Sequence, residues 1–422
     1  MSYKKRDKFV ITGGKKLDGE LDIQTSKNAT LPIMSACLLS KDAVCIKSCP
    51  DILDVENMIK ILKKLGAKVY RVLDDLIIDG SQIKDVCIDY NLCKTMRSSI
   101  FLLGSILARF KSICITMPGG CNIGKRPIDI HIDAFKRLGV KVIEMNDFIF
   151  FNASKAKAGK IHLKIPSVGA TENIVQFASI LKGKTVIYNA ACEPEVVDLC
   201  NFLIKMGANI KGAGTKKITI IGVENLKGVE YRPIQDRIVL GTLLIATAIC
   251  GGIIRLKASN INQIEKLIEI LSRMGCQINI KNDIITLARE GPLKSISTVS
   301  TGYYPDFPTD LQSMLLVLSC VVDGSTQINE RIFENRFLIV KELKKMGAKI
   351  KIVDKHKVII DGVKTLTASK LKALDLRGGA SLVLAGLVAK GTTIIDNVHF
   401  IDRGYCYFEK MLTSLGADIK RI

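Results

Sequence analysis

The chain is poor in several residue types and patterns that mark common classes of protein. Its 422 residues include no tryptophan, 4 histidines and only 5% aromatic residues. No apolar run approaches the ~18 residues that a membrane-spanning helix needs. The charged N-terminus leads into a short strand-like segment rather than into the apolar core of a secretory signal peptide. We therefore expect a cytoplasmic protein with no membrane insertion.

The 13 cysteines form no recognisable metal-binding or disulfide pattern. The sequence contains no Cys-X-X-Cys pair and no Cys/His spacing typical of a zinc site. Their number is odd, and several lie in apolar stretches, among them Cys37, Cys200, Cys250 and Cys320. We expect most of them to be small core residues in a reducing compartment, and we expect no metal site.

The formal net charge of +21 is compatible with a nucleic-acid-binding protein. However, the basic residues are spread over the whole chain, and they are not interleaved with aromatic side chains that could stack on bases. An enzyme that acts on small anionic substrates explains the charge as well. We favour the enzyme and expect no nucleic-acid partner.

One unit of sequence recurs six times. In each copy a glycine ends an amphipathic helix and is followed by alternating apolar and polar residues, which predict a strand and a hairpin. Successive copies of this glycine are 68 to 73 residues apart. They are Gly66, Gly139, Gly207, Gly275, Gly347 and Gly416.

Each unit also contains a second, almost wholly apolar helix that must be surrounded by protein. We predict these helices at residues 29–40, 98–110, 172–181, 237–249, 310–322 and 380–389. With a strand before each helix, the unit has the order βαβαββ, and the fold class is α/β.

The sixth unit lacks one strand at its C-terminal end, and residues 8–14 supply a matching strand. We therefore predict two domains of three units each. The first comprises residues 23–234, and the second, discontinuous domain comprises residues 235–422 plus 1–22.

Four of the six apolar helices begin near a basic residue, although the helix dipole disfavours a cation there. A bound phosphate or carboxylate would explain this arrangement. Alternatively, an aspartate pairs with the arginine and caps the helix, as Asp236 or Asp375 could do. Lys27 and Arg97 have no adjacent acid, so for them we favour an anion site.

The loop of residues 117–131 differs from the rest of the chain because it contains three glycines and two prolines. It places Cys121 near Lys125 and Arg126, whose charges should lower the pKa of the thiol and make it reactive. The alternative is an inert loop cysteine. His131, taken alone, is more typical of a structural hydrogen bond than of catalysis.

These motifs together resemble the bacterial UDP-N-acetylglucosamine enolpyruvyl transferases along nearly the whole chain. The related shikimate-pathway transferases share the six-unit fold but lack the Gly-Gly-Cys loop. The resemblance implies two inside-out α/β domains (inverse α/β prisms), each of three βαβαββ repeats. The motifs that carry it are Lys27-Asn28-Ala29, the 118–131 loop, Ser167–Thr171, 307–312, 333–337, Asp375-Leu376-Arg377 and 401–405.

The resemblance implies transfer of the enolpyruvyl group of phosphoenolpyruvate to the 3′-hydroxyl of UDP-N-acetylglucosamine, with release of phosphate. This is the first committed step of peptidoglycan synthesis and the step that fosfomycin blocks. It also implies that no cofactor is needed and that the chain is a monomer or a weak homo-oligomer. Asp310 would be the base, Cys121 the proton donor, and Lys27 and Arg403 further catalytic residues.

The resemblance likewise implies which residues bind the substrates. Phosphoenolpyruvate would contact Lys27, Asn28, Arg126 and Arg403. The UDP-sugar would contact Arg97, Arg126, Pro127, Ile128, Asp129, Ile130, Ser167, Val168, Asp310 and Ile332. Supporting residues would be His131, Arg336, Asp375 and Arg377. Some relatives have a nucleotide-binding lysine where this chain has Ile165, and whether the adjacent Lys164 replaces it is open.

Two other functions remain as alternatives. The chain could act on the shikimate-pathway acceptor, although the cysteine loop argues against this. It could also be an anion-binding or regulatory protein that has lost turnover, although the candidate catalytic residues are all present.

Overall fold

The computed structural model describes residues 7–83, 100–116, 128–145 and 148–422. These residues form two compact units. The unit that we call the N-terminal unit contains the described residues between 25 and 234, and the C-terminal unit contains residues 7–24 and 235–422.

Six buried helices form the centres of the two units, as the apolar segments of the sequence predict. Serine or aspartate side chains cap four of them, because these groups accept hydrogen bonds from unpaired N–H groups of the first turn. The buried helices are Lys27–Ala36, Leu102–Phe110, Val168–Ala178, Arg237–Cys250, Gln312–Cys320 and Leu376–Val388.

Six further helices carry one apolar face and one polar face. The six glycines of the sequence repeat, at or just after the ends of these helices, all have positive φ angles between 81° and 111°. This left-handed conformation costs glycine little and stops the helix, which confirms the predicted C-caps. The six helices are Leu53–Lys64, Asp129–Arg137, Pro194–Lys205, Glu265–Met274, Val340–Lys345 and Phe408–Ser414.

The strands of the described residues form six small sheets, three in each unit. In each four-stranded sheet, three strands are antiparallel neighbours and the fourth joins one edge in parallel. The N-terminal unit has three sheets, whose strands are given in spatial order. The first contains Glu230–Tyr231, Val44–Ile46, Asp75–Asp79 and Lys68–Val72, and the second contains Ser112–Thr116, Phe148–Asn152 and Lys141–Met145. The third contains Asn209–Lys211, Lys217–Ile221, Lys184–Tyr188 and Lys160–His162. The C-terminal unit also has three sheets. The first contains Lys370–Lys372, Thr392–Asp396, Phe9–Thr12 and Asp418–Arg421, and the second contains Gln277–Lys281, Ile284–Arg289, Gly252–Lys257 and Leu17–Asp22. The third contains Thr298–Ser300, Ser325–Asn329, Lys357–Asp361 and Lys349–Asp354.

The N-terminal strand completes the sixth repeat, as the sequence predicts. Phe9–Thr12 lies between Thr392–Asp396 and Asp418–Arg421 and pairs antiparallel with both. The next strand, Leu17–Asp22, pairs in parallel with Gly252–Lys257 of the fourth repeat. Conversely, Glu230–Tyr231 pairs in parallel with Val44–Ile46 of the first repeat. Each unit is therefore closed by a strand that lies far away in sequence.

Close helix packing forms the core of each unit. In the C-terminal unit the three buried helices pack on one another through side chains such as Leu243, Leu315 and Leu384, which are at most 1% exposed. In the N-terminal unit, Gly104 lies so near Asn173 that a Cβ atom would come within 2.3 Å of its carbonyl oxygen. Glycine is therefore required where Leu102–Phe110 crosses Val168–Ala178.

No helix in the described ranges is long and apolar enough to cross a membrane. The ten cysteines that the structure describes form no disulfide bond with one another, and each is buried or half-buried. Burial raises the pKa of the Cys200 and Cys320 thiols to about 12.

Candidate functional site

Asp310 lies at the centre of a cluster of charged side chains in the C-terminal unit. Its Oδ1 accepts a hydrogen bond from Nη2 of Arg336 at 2.6 Å, and its Oδ2 accepts one from Nη2 of Arg377 at 2.9 Å. Asp310 comes just before helix Gln312–Cys320, and Arg377 is the second residue of helix Leu376–Val388. The starts of two buried helices therefore meet here.

The two arginines control the charge of this cluster. Burial disfavours the charged form of Asp310, but the Arg377 and Arg336 guanidinium groups outweigh that effect and hold the pKa of the carboxyl well below its usual range. The arginine side chains are only 3% and 4% exposed, whereas 24% of the Asp310 side chain is exposed. Two guanidinium groups therefore meet at Asp310, and the charge of Asp236 also acts on Arg377.

Asp375 and Asp236 cap helices, as one of the alternatives drawn from the sequence expects. Asp375 Oδ1 accepts hydrogen bonds from the N–H groups of Arg377 and Gly378 at 3.0 and 2.9 Å. Asp236 does the same for Ile238 and Val239. The side chain of Arg377, however, pairs with Asp310. Asp375 therefore fixes the backbone that carries Arg377 while a more distant acid balances its charge.

Aromatic side chains support both guanidinium groups. Arg377 lies over the Tyr405 ring at 5.6 Å from its centroid, and Arg336 lies over the Phe333 ring at 5.2 Å. The Tyr405 hydroxyl is 2.8 Å from Oγ1 of Thr242 on another buried helix. These contacts restrict the orientation of both arginines.

Ile332 lies in a turn that a buried carboxylate holds in place. The N–H groups of Ile332 and Phe333 donate hydrogen bonds to Oε1 of Glu330 at 2.8 and 3.1 Å. Oε2 of the same carboxylate accepts a hydrogen bond from the hydroxyl of Thr309 at 2.8 Å. The sequence reasoning missed Glu330, because nothing in its local pattern distinguishes it from an acid in an exposed turn.

Arg403 ends the short 3₁₀ helix Val398–Arg403. The segment that follows is fixed by Gln24: its side-chain amide donates to the carbonyl of Gly404 at 3.2 Å and accepts from the N–H of Cys406 at 2.9 Å. A residue near the N-terminus thus positions the backbone beside Arg403, although 380 residues separate Gln24 from Gly404.

In the N-terminal unit, Lys27 is the first residue of a buried helix and forms an ion pair with Asp54. Their Nζ and Oδ2 atoms are 2.8 Å apart, and the Asp54 side chain is 1% exposed. The acid that balances Lys27 is therefore near in space although none is near in sequence. Its position at a helix start does not by itself require a bound anion. The neighbouring Asn28 is half-buried.

His131 has the structural environment that its sequence context favours. It is 6% exposed, and its Nδ1 is 3.1 Å from Nδ2 of Asn173. Asn173 also donates to the carbonyl of Gly169, and a Cβ on Gly169 would lie only 3.2 Å from the imidazole ring. His131 therefore packs against the first turn of helix Val168–Ala178, just after Ser167.

Several residues assigned to the UDP-sugar lie near this helix start. Ser167 caps the helix by accepting a hydrogen bond from the N–H of Ala170, and Val168 is its first residue. Ile128 is buried at the start of helix Asp129–Arg137, where Asp129 is exposed and Ile130 half-buried. An open groove of about 400 Å³ lies beside Ile128 and Asp129. Its lining residues are Ile128, Asp129, Ile132, Asp133, Lys136, Glu144, Ile149 and Lys164.

Lys164 thus lines the same groove as Ile128 and Asp129, whereas Ile165 is 43% exposed and does not line it. Four assigned residues, Arg97, Cys121, Arg126 and Pro127, lie outside the described residues.

Within the described ranges, no three His, Cys, Asp or Glu side chains are arranged as metal ligands.

The sequence matches the family model described as EPSP synthase (3-phosphoshikimate 1-carboxyvinyltransferase) over residues 11–412. This match spans almost the whole chain, so the chain belongs to the EPSP synthase family of carboxyvinyl transferases. Two solved structures share its fold. The enolpyruvyl transferase NikO from Streptomyces tendae has a TM-score of 0.88 at 23% identity and covers 99% of both chains. EPSP synthase from Acinetobacter baumannii has a TM-score of 0.74 at 17% identity, covering 99% of this chain and 100% of its own.

Curated relatives narrow the comparison within the family. UDP-N-acetylglucosamine 1-carboxyvinyltransferase 2 of Caldanaerobacter subterraneus subsp. tengcongensis is 45% identical over 415 residues, which cover 98% of this chain and 99% of the relative. UDP-N-acetylglucosamine 1-carboxyvinyltransferase 1 of Clostridium acetobutylicum is 44% identical over 99% of this chain and 100% of its own length. These relatives confirm the resemblance inferred from the motifs, and the shared fold confirms the predicted fold class.

Proposed function

We propose that this chain transfers the enolpyruvyl group of phosphoenolpyruvate to the 3′-hydroxyl of UDP-N-acetylglucosamine and releases phosphate, the first committed step of peptidoglycan synthesis. The observation that carries the proposal is the 45% identity, over 98% of the chain, to a UDP-N-acetylglucosamine 1-carboxyvinyltransferase. The Arg336 and Arg377 guanidinium groups at Asp310 support it, because both substrates are anions.

In the proposed reaction Asp310 accepts the proton of the sugar 3′-hydroxyl while the hydroxyl oxygen attacks C2 of phosphoenolpyruvate. Cys121 donates a proton to the C3 methylene, which yields a tetrahedral ketal. Phosphate then leaves C2 with the proton that Asp310 accepted, and the C3 methyl returns a proton to the Cys121 thiolate, which leaves the enolpyruvyl ether. Asp310 is a weak base while both arginines donate hydrogen bonds to it. An incoming anionic group must therefore bind the same guanidinium groups and so raise the pKa of Asp310.

The remaining residues are assigned to substrate binding. Lys27, Asn28, Arg126 and Arg403 would bind phosphoenolpyruvate. Arg97, Arg126, Pro127, Ile128, Asp129, Ile130, Ser167, Val168, Asp310 and Ile332 would bind the UDP-sugar. The position of Lys164 in the groove beside Ile128 and Asp129 supports a role for it in nucleotide binding.

We further propose that the two compact units correspond to the two domains of the family, for which the sequence gives 23–234 and 235–422 plus 1–22, although residues 23 and 24 lie in the C-terminal unit. The reaction needs no metal or organic cofactor, because addition and elimination require only proton transfers and anion binding. The chain would act in the cytoplasm, where phosphoenolpyruvate is made, as a monomer or a weak homo-oligomer.

An acceptor comparison tests this proposal. Phosphate release from phosphoenolpyruvate is measured with UDP-N-acetylglucosamine, with shikimate 3-phosphate and with no acceptor, each with and without a chelator. We expect phosphate to be released only in the reaction that contains UDP-N-acetylglucosamine, and we expect the chelator to have no effect. Phosphate release only with shikimate 3-phosphate would assign the chain to the other branch of its family.

A further inference from the structure

Glu330 is a buried carboxylate in the C-terminal unit that none of the assigned roles uses. Its side chain is inaccessible to solvent (0% exposed) and accepts three hydrogen bonds. The donors are the Thr309 hydroxyl and the N–H groups of Ile332 and Phe333. Burying a carboxylate is costly unless its oxygens are bonded, and here both are.

The three donors belong to the two chain segments that build the cluster around Asp310. Thr309 immediately precedes Asp310 in the short 3₁₀ helix Thr309–Leu311. Phe333 lies at the start of the segment that carries Arg336, and its ring contacts the Arg336 guanidinium. One carboxylate therefore joins the backbone that carries the acid to the backbone that carries one of its arginines.

Glu330 is itself held firmly. It follows strand Ser325–Asn329, which pairs with Lys357–Asp361. Its N–H donates to the carbonyl of His356 at 2.7 Å, and its carbonyl lies 2.8 Å from Nδ1 of His356. The carboxylate thus fixes two segments with little regular structure to a residue that is itself held by a sheet.

We propose that Glu330 is a positioning residue for the Asp310–Arg336 pair and that it acts through Thr309 and the turn at Ile332 and Phe333. The proposal rests on the proposed function, because its effect is measured on turnover. A glutamate that merely stabilised the turn would affect unfolding but not the rate per folded molecule. A positioning residue affects the chemical step, because a displacement of about 1 Å can lower a rate ~100-fold.

Thr309 allows a gentler test than removal of Glu330. Thr309→Val keeps the shape of the side chain but removes the hydroxyl that donates to Glu330, whereas Thr309→Ser keeps the hydroxyl. The matched control is Glu342→Gln, which alters another buried glutamate of the same unit that binds Lys345 and the N–H of Lys372. Folded fractions are measured by thermal unfolding, and kcat and KM are measured for both substrates.

We expect Thr309→Val to lower kcat about tenfold or more while KM for the UDP-sugar changes less than about threefold. Thr309→Ser and Glu342→Gln should keep kcat within about twofold of wild type. A wild-type kcat in Thr309→Val, or an equal loss in Thr309→Ser, would overturn the positioning role and leave the proposed function intact. If the wild-type chain itself showed no turnover, both the positioning role and the proposed function would be overturned.

Discussion

Nζ of Lys27 lies 2.8 Å from Oδ2 of Asp54, and the two side chains are 11% and 1% exposed. The two residues lie in the first turns of different helices of the N-terminal unit, Lys27–Ala36 and Leu53–Lys64. Asp54 in the first turn of its helix is favoured by the helix dipole, whereas Lys27 at the same place in its own helix is disfavoured. The ion pair offsets that cost and fixes the lysine that we assign to phosphoenolpyruvate.

Asp54→Asn should therefore destabilise the chain strongly. Asp54→Asn removes the carboxylate charge that faces Lys27 at 2.8 Å, and breaking a buried ion pair costs about 3–5 kcal/mol. The control is Glu269→Gln, which breaks the exposed ion pair of Glu269 with Lys266 and should cost at most ~1 kcal/mol. Urea unfolding of both variants checks this. Equal, small losses in both would show that the Lys27–Asp54 pair contributes little.

Asp310→Asn should preserve binding of UDP-N-acetylglucosamine but lower turnover about a hundredfold or more. Asparagine keeps the size of the side chain and one acceptor oxygen for an arginine, but it cannot accept the hydroxyl proton. Asp75→Asn is the control, because it removes another aspartate that pairs with a cation, Lys47. Calorimetric binding and phosphate release separate the two effects. Near-normal turnover in Asp310→Asn would remove it from the role of base.

Asp198 should make stability depend on pH. Burial raises its pKa to about 6, although hydrogen bonds from the Tyr231 hydroxyl and the Ile234 N–H oppose the shift and the charge of Glu195 adds to it. The folded chain thus holds this proton to a higher pH than the unfolded chain does. The stability that results is fully present below the unfolded pKa of about 4 and is lost as pH rises through about 6.

The measurement is urea unfolding of the wild type and of Asp198→Asn across this pH range. The free energy of unfolding of the wild type, minus that of the variant, should fall between about pH 4 and about pH 6 and stay level above it. The subtraction removes titrations that both chains share. A difference that does not vary with pH would contradict the raised pKa.

Cys121 should be the cysteine that fosfomycin alkylates. Its loop is rich in glycine and basic residues, whereas burial raises the pKa of Cys49 and Cys250 to about 12 and makes those thiols poor nucleophiles. Peptide mass spectrometry after brief exposure, with UDP-N-acetylglucosamine present, identifies the labelled residue. Cys121→Asp should stay active and resist the compound, and Cys121→Ser should lose most turnover. A label on another cysteine, or full activity of Cys121→Ser, would remove Cys121 from the role of proton donor.

The repeat architecture could be predicted from the sequence because its signals are local. A glycine such as Gly275 ends its helix through its own backbone conformation, and an apolar segment such as 237–249 must be buried wherever it lies. The N-terminal strand could be assigned to the sixth repeat because that repeat was one strand short. The partner of Leu17–Asp22 could not be predicted, because parallel pairing leaves no mark on either strand.

The contacts of the candidate site were less predictable, because they join residues that are far apart in sequence. Asp310 and Arg377 are 67 residues apart, and neither shows in its neighbourhood that the other balances its charge. The sequence did place both at the starts of buried helices, which is why they lie together. Local patterns therefore located the residues, and only the fold shows their partners.

The most direct test of the central claim is the identity of the product formed by the purified chain. Phosphoenolpyruvate and UDP-N-acetylglucosamine are incubated with it, and the UDP-sugar is analysed by mass spectrometry while phosphate is measured in parallel. The account predicts a UDP-sugar heavier by one enolpyruvyl group, formed in equal amount to the phosphate released. An unchanged UDP-sugar in the presence of folded chain would contradict it.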